Sequence, residues 1–306
     1  MNCEPCASSL RSASQSSILV CAVNCCVSVV STCLYYSELH HLHQYPFFSA
    51  QLNTAIGALL AGLWLLWLPK DVEVETAATV VPWQSWAWLS ALLAFQNSLE
   101  ILSIPRVQLV GAMMVVAGVM AGFLPSLWVS GLQHVSLAWV AIFLLSRIPQ
   151  AAANVAAESW AENQKGITWP LRATLYTQLL GLPCNFLAAL TVSFFWKGEA
   201  AVVLQDYAGG FSCLTEGQGA CAGAWRSVLL FAVPGMLYTL TEFQVLQVAS
   251  ATTYFLLAAL QLPLQDLALS LLNFSAASFR PAMVPAILAV AMGLMFYGLG
   301  SRPGSS

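Results

Sequence analysis

Arg147, Gln150, Asn154 and Glu158 follow one another at spacings of three, four and four residues. On a helix that spacing lines all four along one face. The surrounding stretch, Ser136 to Glu158, is otherwise apolar. Charges and amides in such a segment are costly against lipid, so they face a bundle interior, pair with one another, or line a pathway for a polar solute. Solute binding is one reading of this stripe. The plainer one is that Arg147 and Glu158 brace neighbouring helices or mark the membrane boundary.

Two further groups lie nearer the C-terminus. Tyr238 and Glu242 are four residues apart, with Gln244 and Gln247 as a separate pair, and Gln261 and Gln265 repeat the four-residue spacing beside Asp266. Amides and carboxylates at one helical face can bind a polar solute, and Glu242 and Asp266 are the two carboxylates suited to carry protons if their surroundings allow exchange. The alternative is that each is satisfied by a hydroxyl or a backbone group. Asn24, Gln51 and Asn53 are polar positions in the first two apolar segments, where single amides more often join helices than bind substrate.

None of these groups forms a catalytic set. The chain has no HExxH, G-x-S-x-G, Walker or dinucleotide-binding glycine sequence, so no enzyme activity and no cofactor is expected. His40, His41 and His43 fall at the end of an apolar run, in a position that favours an interfacial loop over a metal site. Cys3 and Cys6 form a CxxC with no second pair to complete a metal centre. The net charge of -3 and the lack of any basic cluster exclude a nucleic-acid footprint.

The elements that must hold these residues are membrane helices. Of 306 residues 59% are apolar and only 8% charged, with a mean hydropathy of +0.75. A soluble domain carries about 25% charge, and ten basic plus thirteen acidic residues cannot clothe a chain this long. Lipid is the solvent that fits, and a spanning helix needs about 20 mostly apolar residues. Such segments run over about Ile18–Tyr36, Pro46–Leu68, Val107–Leu124, Ser136–Glu158, Leu171–Phe195, Arg226–Val248, Thr252–Leu272 and Pro281–Leu299. Trp83–Ser103 is a weaker ninth, carrying Gln96, Asn97 and Glu100. Gly118 and Gly122 are spaced for close approach of a neighbouring helix. Met1–Ser17 reads as a tail or the remnant of a targeting peptide, Lys70–Pro82 as an acidic connection, Trp196–Trp225 as a Gly-rich polar loop and Gly300–Ser306 as a second tail. The expected class is all-α, a polytopic membrane bundle. Lys and Arg are too sparse to orient it, and monomer and homo-oligomer are both compatible with the sequence.

Three stretches carry a family resemblance. They are Gln44-Tyr-Pro-Phe-Phe-Ser-Ala-Gln-Leu-Asn-Thr54, Pro149-Gln-Ala-Ala-Ala-Asn-Val-Ala-Ala-Glu158, and Cys221-Ala-Gly-Ala-Trp225 with Tyr238 and Ser250 to Ala268. In order and spacing they resemble the chloroquine-resistance-transporter-like family of the drug/metabolite transporter superfamily. The resemblance implies ten helices in two inverted five-helix halves around a central cavity. On that division residues 18–124 form a first, shortened repeat, residues 125–299 a second, and 1–17 and 300–306 the tails. It also implies transport of peptides, amino acids and cationic drugs, often with protons, or of glutathione and related thiols across plastid envelopes. The membrane would then be a plastid envelope or a vacuole-like one. By residue matching it offers Gln51, Asn53, Gln265 and Asp266 as cavity positions. It further implies a disulfide-bearing lumenal loop, in which Cys213 and Cys221 fall.

One departure stands out. Trp88–Leu102 resembles the start of the family's helix three, whereas Arg106–Gly111 resembles the entry to helix five, so about forty residues between them are absent. If both placements hold, Trp83–Ser103 is re-entrant or lies along the surface and the later helices keep the family orientation. If it spans, every later helix is inverted. The expected function is a secondary transporter of small polar metabolites. Nucleotide-sugar or triose-phosphate carriage is the alternative, weakened because only Arg147 offers a core cation to an anionic substrate. A truncated, non-transporting membrane protein is a third reading.

Overall fold

The structure, a computed structural model, describes residues 4–42, 44–68, 81–96, 137–161, 164, 166–197, 201–217 and 219–272. The polar segment 70–80, the stretch 97–136 with the Val107–Leu124 span, and the Pro281–Leu299 span lie outside the described residues. Among the described residues there are eight helices: α1 (Glu4–Leu42), α2 (Pro46–Trp67), α3 (residues 83–96), α4 (Leu137–Ala161), α5 (Thr168–Lys197), α6 (Ala201–Glu216), α7 (Ala224–Val248) and α8 (Ala251–Leu271). A single 3-10 turn, Gly219–Cys221, precedes α7, and no strand occurs among the described residues.

Among the described residues four helices are long and apolar enough to cross a membrane: Ser16–Leu42 within α1, Pro46–Trp67, Thr168–Phe194 within α5, and Ala224–Val248. In lipid only a segment that satisfies its own backbone can span, which is why the apolar runs of this sequence resolve into helices. The fold is a polytopic helical membrane bundle.

Three boundaries differ from the sequence expectation. The helix of the first segment starts at Glu4, and it continues through His40 and His41 to Leu42 instead of stopping at Tyr36. Nothing before Leu42 breaks a helix, since Gly and Pro are absent between Pro5 and Pro46. The Trp196–Trp225 loop contains a helix, α6, whose Val203, Gly210 and Cys213 are buried. The Gly-rich composition of this segment suggested a loop, but tertiary packing overrides that local preference. A Cβ added at Gly210 would lie 2.4 Å from the Phe48 ring, and one at Gly209 would lie 2.4 Å from that of Tyr45. These glycines let α6 sit directly on the turn between α1 and α2.

Long-range pairs fix the directions. α1 runs antiparallel to α7, as Asn24 meets Thr241 and Tyr35 meets Phe231. It runs parallel to α8, where Asn24 and Ser28 meet Gln261 and Ser28 meets Gln265. α2 runs antiparallel to α5, with Gln51 on the Leu182 carbonyl and Gly57 against Gln178. Consecutive α1 and α2 touch little beyond their shared turn, each packing mainly along α7 and α5 respectively. α3 is anchored by Trp86, whose ring is stacked on Tyr176 of α5 at 5.6 Å and meets Trp160 of α4 edge-on at 5.4 Å. The largest apolar core lies where Trp86, Trp169, Phe243, Leu246 and Tyr254 come together.

Candidate functional site

A chain of amides and hydroxyls crosses the bundle where α1, α7 and α8 meet. Gln265 Nε2 donates to Ser28 Oγ at 2.8 Å, and Ser28 Oγ donates to Gln261 Oε1 at 3.0 Å. Gln261 Nε2 donates to Asn24 Oδ1 at 2.6 Å, Asn24 Nδ2 to Thr241 Oγ1 at 2.8 Å, and Thr241 Oγ1 to the Tyr238 carbonyl at 3.0 Å. Asn24, Ser28, Thr241 and Gln261 are all buried. The four-residue repeats Asn24/Ser28 and Gln261/Gln265 put each pair on one helical face, and parallel packing of α1 on α8 brings those faces into register. Polar groups buried in an apolar bundle are tolerated only when bonded, and this chain is a connected solution of that kind.

Next to it on α7 and α8 stands a second set. The hydroxyls of Tyr238 and Tyr254 are 3.1 Å apart, and Tyr254 is hydrogen-bonded to Glu242. Tyr254 is buried and Glu242 partly so. Chemically the arrangement is a short hydroxyl chain ending on a carboxylate, adjoining an amide network able to exchange its internal bonds for bonds to a polar solute.

The two amides of the second helix part company. Gln51 faces α5, donating to the Leu182 carbonyl at 2.8 Å, and its buried Oε1 has no partner. Thr54 and Asn185 are bonded beside it at 3.1 Å. Asn53 faces α1, where its Nδ2 lies 3.0 and 3.2 Å from the two carboxylate oxygens of Glu38, and Ser49 Oγ donates to the same carboxylate at 2.5 Å. Glu38 is fully buried.

The stripe on α4 is divided too. Asn154 is buried and its Nδ2 has no partner, while Gln150 is partly exposed. Glu158 accepts a 3.0 Å hydrogen bond from the Ala251 amide, so it caps the start of α8. Gln247 spans from α7 to the Gln164 and Gly166 carbonyls at 3.0 and 3.2 Å. Arg147 and Asp266 lie on α4 and α8; the description covers their backbone alone.

At the α1–α2 turn, Asp206 of α6 accepts from the Phe48 amide at 2.8 Å and so caps α2 from outside. Burial, helped by the neighbouring Asp206 charge, pushes the Tyr207 hydroxyl up to about 12, and its ring packs against Phe48 and Phe186. Cys213 and Cys221 form a disulfide that ties α6 to the turn before α7.

Sequence reasoning missed Glu38, Ser28, Ser49, Thr241 and Tyr254. For Glu38 the signal was a carboxylate two residues past the apolar run Ile18–Tyr36, overshadowed by the histidines that follow. For Ser28 it was the four-residue spacing from Asn24.

No protein-family model matches the chain. Over 228 aligned positions it is 24% identical to a protein named Crt homolog 1 from Dictyostelium discoideum. The alignment covers 64% of this chain and 48% of that protein, so the chain spans about half the length of the relative it matches.

Proposed function

We propose that this chain is a secondary transporter that moves small polar metabolites across an organelle membrane, either thiol peptides such as glutathione or amino-acid, peptide and cationic drug-like solutes. The observation that carries the reading is the bonded chain Gln265–Ser28–Gln261–Asn24–Thr241 inside an apolar bundle. A bundle meant only to be stable has no need of so many amides, since interhelical hydrogen bonds in membranes contribute about 0.6 kcal/mol each. Transporters bind solutes near the midplane between packed helices, with groups that trade internal bonds for solute bonds. The named relative supports transport in general. Glu242, reached from Tyr238 through Tyr254, is the proposed proton carrier, with Asp266 as the second carboxylate of that region.

A second reading, a membrane protein that no longer transports, is favoured by the apparent loss of about forty residues near Leu102–Arg106 in the sequence. Uptake into vesicles reconstituted with the purified chain separates the two. Glutathione, a cationic amino acid and a UDP-sugar are offered side by side under imposed pH gradients. Uptake of either of the first two, lowered at least tenfold by Gln261→Ala, is the expected result. Uptake of the UDP-sugar alone would favour nucleotide-sugar carriage, and uptake of none the non-transporting form.

A further inference from the structure

α6 has 16 residues, too few to cross a bilayer, which needs about 20. It lies across the ends of the spans instead. Its first half packs on α5, where Tyr207 meets the Phe186 ring edge-on at 5.7 Å, and on α2 through the Asp206–Phe48 bond. Its second half reaches the end of α1 and the start of α7, where Cys213 packs with Leu42 and Ala224. The spanning segment of α1 ends at Leu42 and that of α2 begins at Pro46, while that of α5 ends at Phe194 and that of α7 begins at Ala224. α6 therefore stands at one membrane boundary. Trp225, half exposed with the Arg226 guanidinium 5.3 Å from its ring, marks the same level, as aromatic rings at headgroup depth do.

Residues seven apart on a helix fall within about 20° of each other, so α6 divides into strips. Val203 and Gly210 form a buried one. One residue on, Leu204 and Phe211 form an apolar strip that the bundle leaves 59% and 62% exposed, with exposed Ala208 between them. One residue further, Gln205 and Ser212 form a polar strip, and Ser212 is bonded to the exposed Glu216. A helix resting on protein in water needs a polar outer face throughout, and one sunk in lipid needs no polar strip. Buried, apolar and polar strips side by side fit a helix held where protein, acyl chains and water meet. The apolar strip also continues a surface that faces lipid. Leu187, next to the Phe186 that Tyr207 touches, is 61% exposed on the spanning part of α5. α6 carries two carboxylates, Asp206 and Glu216, and no lysine or arginine, so nothing on it attracts an anionic headgroup. Burial of the apolar strip is what holds it to the bilayer.

We propose that Leu204, Ala208 and Phe211 are a lipid-contact strip that seats α6 at the acyl-chain boundary of the leaflet nearest the α1–α2 turn, with neutral phospholipid sufficient as its partner. The seat fixes the depth of the disulfide-closed end of the bundle. It stands whether or not the chain moves a solute.

The test is photo-crosslinking of the full chain in phosphatidylcholine vesicles. The photoreactive residue p-benzoylphenylalanine, which inserts into nearby C–H bonds under light, replaces Phe211, Leu204, Gln205 or Glu216, one position at a time. All four side chains are exposed, so the fold tolerates the change, and retention of the Cys213–Cys221 bridge checks each variant. Mass spectrometry is expected to find phospholipid adducts at positions 211 and 204, several-fold above those at 205 and 216. Equal lipid yields at the four positions would overturn the strip, and so would the lack of any lipid adduct. Chain-to-chain adducts in place of lipid ones at 211 and 204 would make this face a contact between copies and overturn it as well. Adducts that appear only once phosphatidylglycerol is added would show attraction to anionic headgroups, against a seat made by apolar burial.

Discussion

Asn24 of α1 and Gln261 of α8, 237 residues apart in the chain, are joined by a 2.6 Å hydrogen bond from the glutamine amide to the asparagine oxygen. The asparagine passes its own amide on to Thr241 of α7, so one side chain links three helices. An amide that donates and accepts at once is hard to replace. Leu at either position would fill the space but orphan the partner.

The first prediction concerns that linkage. Asn24→Ala strands the buried Gln261 amide nitrogen and takes one donor from Thr241, which keeps its own bond to the Tyr238 carbonyl, so it should cost about 1–3 kcal/mol. Gln261→Ala removes the other half of the same bond, and the double variant should lose clearly less than the sum of the two singles. Thermal unfolding in detergent measures all three. Strict additivity would mean the pair is not coupled.

Gly210 tests how α6 sits on the α1–α2 turn. Gly210→Ala puts a methyl 2.4 Å from the Phe48 ring, and overpacking of this kind costs about 1–3 kcal/mol. Phe48→Ala alone leaves a gap. Combined, the two changes should restore part of what each loses, which a double-mutant cycle on the unfolding midpoint reads directly. If Gly210→Ala is neutral, α6 is not held against Phe48.

The helical membrane class was legible because composition alone excludes a soluble surface, and among the described segments most limits followed from apolar runs ended by polar residues. α6 was not legible. Its Gly209 and Gly210 are loop-like by propensity, and only the rings of Tyr45 and Phe48 lying over them explain why the helix needs glycine there. The amide spacing at Gln261 and Gln265 gave the right face of α8 but not its partner. Ser28 and Thr241 are ordinary residues in membrane helices, and their roles arise from the parallel packing of α1 on α8. Glu38 was hidden for a related reason: its partners, Ser49 and Asn53, come from the following helix and depend on the turn between them.

The Cys213–Cys221 bridge closes a short loop, with the two residues eight apart. Loop-closure entropy for a ring of that size corresponds to about 2.5 kcal/mol. Disulfides persist on an oxidising side of a membrane, so this end of the bundle is expected to face one. Maleimide–polyethylene glycol labelling of a variant retaining only these two cysteines should give no mass shift before reduction and a two-thiol shift after it. Reduction should also lower the unfolding midpoint. Labelling of both thiols without reductant, in protein taken directly from its membrane under acid quench, would place the loop on a reducing side. That outcome fits the arrangement in which Trp83–Ser103 spans and the later helices are inverted.

Glu158 closes the set, because its role can be separated from solute binding. Its carboxylate caps α8 through the Ala251 amide at 3.0 Å, and the negative charge also complements the positive end of that helix. Glu158→Ala removes both effects and should cost about 1 kcal/mol, within the range of helix caps. Glu158→Gln keeps an oxygen acceptor and loses only the charge, so its cost should be about half. Neither change should alter the affinity for a transported solute, since Gln261 and Asn24 are bonded to each other and to α7 without it. A Glu158→Gln chain with unchanged unfolding midpoint but a several-fold weaker solute affinity would move Glu158 from cap to solute ligand, and with it the division of the Arg147–Glu158 stripe argued from the structure.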